Sequence, residues 1–114
     1  MKYALLLLCL TGCANWTKQD TYREATALTL MAVDHGQTLN IAKHPQEYHE
    51  LNPILGDHPS VSEVNRYFIA AYILHPTISA VLPPKQRKWW QYLTLSVEAG
   101  AVAHNYSIGL RTDF

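Results

Sequence analysis

Three long stretches of this chain almost lack charge, and they decide what it can fold into. Ala25 to Ala42 is broken only by Asp34, Tyr67 to Pro84 holds no Asp, Glu, Lys or Arg, and Trp89 to Leu110 is broken only by Glu98. Each stretch is too long for a strand and is rich in Ala and Leu, so all three read as helices. The first helix is expected from about Asp20 and must stop before Pro45. Ser60-Val61-Ser62-Glu63 has the spacing of a capping box and sets the second helix start near Ser60. Pro76 falls inside that helix, where it removes a ladder hydrogen bond and is expected to kink it. Leu82-Pro83-Pro84 ends the second helix, Lys85 to Lys88 open the third, and the third should fray near Gly109. With 114 residues the chain is one domain. The expected fold is all-α, a small three-helix bundle with an ordered loop between its first two helices.

The N-terminus is of another kind. Met1-Lys2-Tyr3 is a short basic start and Ala4 to Leu10 an apolar run too short to span a bilayer, as in a secretory signal. Leu10-Thr11-Gly12-Cys13 resembles the bacterial lipobox. That resemblance implies a signal peptide over residues 1–12, acylation of Cys13, a tether over 13–19 and a helical domain over 20–114. Cys9 would leave with the signal, so the mature chain would hold neither a free thiol nor a disulfide, and its only attached group would be the lipid. Ala14 in place of Asp implies the periplasmic face of the outer membrane. An alternative puts the three helices across the inner membrane. Against it, His35, Gln37, Thr38 and Asn40 make the first segment costly to insert, and Lys85, Arg87 and Lys88 would face outward, opposing the positive-inside rule. Nine basic residues balance nine acidic ones, which leaves no basic footprint for nucleic acid.

Candidate chemistry sits at the interruptions. Asp34 shares a helical face with Glu24, Ala27, Met31 and Thr38, whereas His35 lies on the stripe of Leu28, Ala32 and Leu39 that looks core-facing. Asp34 is then an acid, a base or a ligand with His35 beside it, or, more plainly, a solvated or capping carboxylate beside a satisfied core histidine. His75, before Pro76, is expected to hydrogen-bond across the bundle. Glu98 and Asn105 share a face with His104 one position round, and Ala99, Gly100, Ala101 and Ala103 would let another helix approach. A buried Glu98 would have a raised pKa unless paired. Asp34, His35, His75, Glu98 and His104 could together ligate a divalent metal, although no spacing among them is a metal signature. Lys85, Arg87, Lys88, Trp89 and Trp90 suit a membrane interface, with rings at headgroup depth and charges on phosphates. The plainer reading packs the tryptophans in the core and solvates the charges.

Between the first two helices, Asn52-Pro53-Ile54-Leu55-Gly56 reads as a rigid turn: Asn52 as a cap, Pro53 pre-set for helical φ, Gly56 for a left-handed end. Ile54 and Leu55 would be its apolar pegs. Glu50 is not explained by this turn chemistry. It would either accept from the loop's own amides or reach Asp34 and His35.

The set Asp34-His35-Gly36-Gln37-Thr38, Tyr48, Glu50, Asn52 to Gly56, His58-Pro59-Ser60 and Val97-Glu98 through His104-Asn105 resembles a family of small bacterial and phage-borne lipoprotein-like proteins. The resemblance implies this architecture and carries no activity with it. Motifs for nucleotide or phosphate binding and for a nucleophile elbow do not occur. The leading expectation is therefore a lipid-anchored envelope component that binds a membrane or envelope protein, with a prophage role as one version, and not an enzyme. The alternative is a small membrane-associated enzyme or metal binder using Asp34, Glu50, Glu98 and His104.

Overall fold

The structure is a computed structural model that describes residues 15–114; Cys9 and Cys13 lie outside them. Three helices carry the described chain: α1 (Lys18–Lys43), α2 (Val61–Val81) and α3 (Pro84–Ser107). The all-α expectation holds, and no strand occurs among the described residues. No helix among them is long and apolar enough to cross a membrane.

Capping sets each start. Thr17 caps α1: the Asp20 amide donates to Thr17 Oγ1 at 3.2 Å and the Thr17 amide donates to Asp20 Oδ2 at 2.9 Å. The box starts α1 before Asp20, so Lys18 and Gln19 of the expected tether are helical. Ser60 and Glu63 form the expected second box, at 3.1 and 3.2 Å. Each box stabilises its helix by roughly 1 kcal/mol, because it satisfies amides that no helical carbonyl reaches. Pro76 stays inside α2, and Pro84 occupies the first turn of α3, where its missing N–H is not needed. Gly109, at φ 85°, turns the chain just past α3.

Packing centres on α1. It lies against both other helices, while α2 and α3 touch each other far less, although only Leu82 and Pro83 separate them. The α1 seam is Asp20, Glu24, Ala27, Met31, Thr38 and Ile41, all buried, with Asp34 half-buried between them. Alternating steps of four and three residues keep this seam facing its neighbours. The stripe expected to face the core is buried only at Leu39, which joins Val64 and Phe68 in a small apolar core. Leu28, Ala32 and His35 are half-buried.

The C-terminal segment folds back along α1. The Asp113 amide donates to Gly36 O at 2.9 Å, and Asn40 Nδ2 donates to Arg111 O at 2.9 Å. A Cβ on Gly36 would stand 2.7 Å from the Phe114 ring, so this approach needs glycine. Two packing expectations fail. Ala99, Gly100 and Ala103 are exposed, with nothing within 4 Å of where a Gly100 Cβ would be, and of the four small residues only Ala101 is half-buried, on the side of Asp34 and Thr38. Ile54 is 78% exposed and pegs nothing into a core, whereas Leu55, the other expected peg, is half-buried.

Candidate functional site

The helix seam separates into two polar layers. One, nearest the α2–α3 turn, is closed. Arg87 has no exposed surface; its guanidinium donates to Asp20 Oδ2 at 2.9 Å, Ser79 O at 2.7 Å, Leu82 O at 3.1 Å and Asn15 O at 3.2 Å. Arg23 also pairs with Asp20 and donates to Gln91 Oε1 at 2.8 Å. One turn along, Glu24 accepts from Ser79 Oγ at 2.8 Å and Gln91 Nε2 at 3.0 Å, and meets His75 Nδ1 at 2.7 Å. His75 Nε2 reaches Thr94 Oγ1 at 2.7 Å, and the ring stacks on Trp90 with centroids 4.8 Å apart. Burial raises both carboxyls, but the hydrogen bonds outweigh it. Thr17 and Arg87 hold Asp20 below the ordinary carboxylate range, as His75, Gln91 and Ser79 hold Glu24. Every group here has a partner, which marks the layer as structural.

This layer corrects two assignments. Arg87 is not at a membrane interface, since Asp20 draws it into the bundle. Trp90 is half-buried against His75 and donates its indole N–H to His75 O at 3.4 Å. Lys85, Lys88 and Trp89 remain exposed. His75 belongs with Glu24 and Thr94, so it does not join the five-residue metal constellation.

The second layer is open. Asp34 and Thr38 from α1, Glu50, Leu51, Asn52, Pro53 and Leu55 from the loop, Phe68 from α2, and Val97, Glu98, Ala101, His104 and Asn105 from α3 line a cavity of about 430 Å³. The structure thus brings Asp34, Glu50, Glu98 and His104 to one place. His35 turns away: it stacks on Phe68 with centroids 4.7 Å apart, its Nε2–H donates to Asn65 Oδ1 at 2.8 Å, and Tyr72 donates to Nδ1 at 2.9 Å.

Glu50 accepts from the loop's own amides, as expected, and comes near Asp34 but not His35. Its Oε1 accepts from the Leu51 and Asn52 amides at 3.0 and 2.9 Å, while its backbone amide closes the loop on Asp57 O at 2.8 Å. Asn52 Oδ1 accepts from the Ile54 amide at 2.9 Å, and Gly56 takes φ 78°, as the turn chemistry required. That rigid turn holds the Glu50 side chain inward, whereas neighbouring His49 is exposed. Across the cavity, Asp34 Oδ1 accepts from Thr38 Oγ1 at 3.3 Å, and Asn105 is oriented by donating to Gln37 Oε1 at 3.1 Å.

Three carboxyls in so small a space do not ionise independently. Burial, the Asp34 charge and hydrogen bond, and the Glu50 charge push Glu98 up to about 8. Burial also raises Asp34, against hydrogen bonds from Glu98 and Thr38 that lower it. Burial raises Glu50, partly offset by the Asn52 amide. Near neutral pH Glu98 therefore holds a proton and donates it to Asp34. The Oε2 atoms of Glu50 and Glu98 are shut from solvent and have no hydrogen-bond partner among the described residues. Among the described residues no group of three His, Cys, Asp or Glu side chains stands in a metal-holding arrangement.

Of the candidates that sequence reasoning placed, Asp34, Glu50, Glu98 and His104 meet at the cavity and His35 does not, and Asp20 was passed over as anything but a helix start. Continuing the Asp34 face upward through Met31 and Ala27 to Glu24 and Asp20 is the signal that finds it. Comparison with protein families, curated proteins and solved structures finds no match for this chain.

Proposed function

We propose that this chain is a small lipid-anchored envelope protein that binds a small organic cation in the cavity beneath the Asn52–Gly56 turn. One observation carries the ligand class: carboxyl groups from α1, the loop and α3 converge on one cavity, and two of their oxygens are buried with no hydrogen-bond partner among the described residues. An unsatisfied buried acceptor costs roughly 1–3 kcal/mol, and more when charged. A protonated amine supplies both the missing donors and the opposite charge. Leu51, Pro53, Leu55, Phe68 and Val97 give the alkyl body apolar walls. The volume, about 430 Å³, lies within the range of about 300–1,000 Å³ that small-molecule pockets occupy. The metal reading loses support because His35 and His75 are engaged elsewhere, which leaves His104 as the one histidine of that set at the cavity. The anchor rests on the Leu10–Cys13 sequence.

Calorimetric titration of the purified full chain with n-butylamine and 1,4-diaminobutane tests the ligand class, with 1-butanol as the neutral control and Mg²⁺, Ca²⁺ and Zn²⁺ each alone. Amine binding is expected, weakened about tenfold (about 1.4 kcal/mol) by Glu98→Gln or Glu50→Gln. An amine affinity indifferent to both substitutions sinks the proposal, as does saturation by a metal alone. For the anchor, palmitate incorporation should vanish in Cys13→Ala, and label that persists removes it.

A further inference from the structure

Because α2 and α3 both pack on α1 and hardly on each other, their outer sides are left facing solvent with an apolar groove between them. Its volume is about 540 Å³, and Ala70, Leu74, Ile78, Leu93 and Val97 are among its walls, with half-buried Glu98 also lining it. Ile73 and Leu74 on α2 are 62% and 56% exposed, and Trp89, Leu93 and Val97 on α3 are 69%, 61% and 60% exposed. A groove with Leu74, Leu93 and Val97 exposed along its walls is the kind of apolar surface that marks an interaction site. We propose that α2 and α3 lie lengthwise on an anionic lipid bilayer, with this groove and its rims against the acyl chains and Lys85 and Lys88 on the headgroup phosphates.

Charge selects lipid as the occupant. No Asp or Glu occurs between Glu63 and Glu98, while Arg66, Lys85, Arg87 and Lys88 all fall in that interval. Arg87 is consumed inside the bundle, but Lys85 and Lys88 are exposed and share a surface hollow with Trp89 and Tyr92 at the end of the face. Apolar surface bordered by lysines and an exposed tryptophan is the pattern of a helix lying in the interface plane. The start of the described chain is at the same end: Arg87 holds Asn15 O, and its guanidinium lies 4.8 Å above the Trp16 ring. An anchor on Cys13 would therefore join the domain beside Lys85 and Lys88, and α2 and α3 run from there along the membrane. The proposal rests on the anchor in the reading above, not on the cation cavity.

The test places one nitroxide label at a time on the full chain, at Ile73→Cys, Leu93→Cys or Val97→Cys, with Thr26→Cys and Thr29→Cys as exposed α1 controls and the unsubstituted chain as background. Collision with oxygen, which enters lipid, is compared with collision with a water-soluble nickel complex. On vesicles of phosphatidylcholine with phosphatidylglycerol, the first three labels should be open to oxygen and shielded from nickel, and the α1 labels the reverse. Omitting phosphatidylglycerol should lessen the shielding. Flotation with all labels equally open to nickel overturns the face and leaves the anchor standing; failure to float overturns both. Shielding already present without vesicles assigns the face to a protein partner or a second copy and overturns the lipid assignment.

Discussion

The His75 imidazole and the Glu24 carboxylate meet at 2.7 Å with both side chains almost wholly shielded from water. The pair ties α2 to α1, and through Thr94 the same ring reaches α3. Removing His75 takes away one of three partners of Glu24 and empties the space beside Trp90 and Thr94. His75→Ala should therefore lower unfolding free energy by about 1–3 kcal/mol in urea titration. A loss under about 1 kcal/mol, the value of an exposed pair, would show that water already enters this layer.

Arg87 is a sharper case, since it holds Asp20, two carbonyls at the α2–α3 turn and Asn15 together. Arg87→Lys keeps the charge but not the planar fork. It should destabilise nearly as much as Arg87→Ala and should speed amide exchange near Trp16 and Thr17. Recovery of wild-type stability by lysine would mean that charge alone suffices.

Acid should weaken the closed layer. Asp20 and Glu24 titrate below their unfolded values, so the stability they contribute is present above the ordinary carboxylate range and is lost as pH falls through their folded pKa values. The cavity has the opposite sign. Glu98 at about 8 binds a proton more tightly folded than unfolded, so its contribution is full below about pH 4.5 and is lost as pH rises towards 8. Urea midpoints across that window should decline, and Glu98→Gln should flatten the decline. The groups facing Glu98 are Asp34 from α1, Glu50 from the loop and Tyr72 from α2. A decline that persists unchanged in Glu98→Gln would assign it to Asp34 or Glu50.

Gly36→Ala should dislodge Phe114 and Thr112, whose atoms stand 2.7 and 2.8 Å from the added Cβ. The expected readout is faster proteolysis after Leu110, with helix content by circular dichroism unchanged.

Helix number and boundaries were legible in the sequence because Pro45, Ser60, Pro83 and Gly109 punctuate it by local chemistry alone. The role of the loop turn was legible for the same reason. The facing of α1 was not. Hydrophobic periodicity assigns the interior to the most apolar stripe, but here the interior seam carries Asp20, Glu24, Asp34 and Thr38. Their burial is possible only because His75, Ser79, Arg87 and Gln91 arrive from α2 and α3 with matching donors, a pairing across the chain that no local pattern records. Ile54 and Gly100 show the same limit from the other side. Each fits a contact by composition, and neither has one.

The unequal packing of the three helices also bears on the order in which they form. Neighbours along the chain, α2 and α3 make too little mutual surface to be a hairpin that stands alone, whereas each has a partner in α1. Synthesis delivers the N-terminal helix first. The earliest element to emerge is thus the template on which the later two condense, and a pause after Lys43 leaves exposed a helix whose inward side is largely polar.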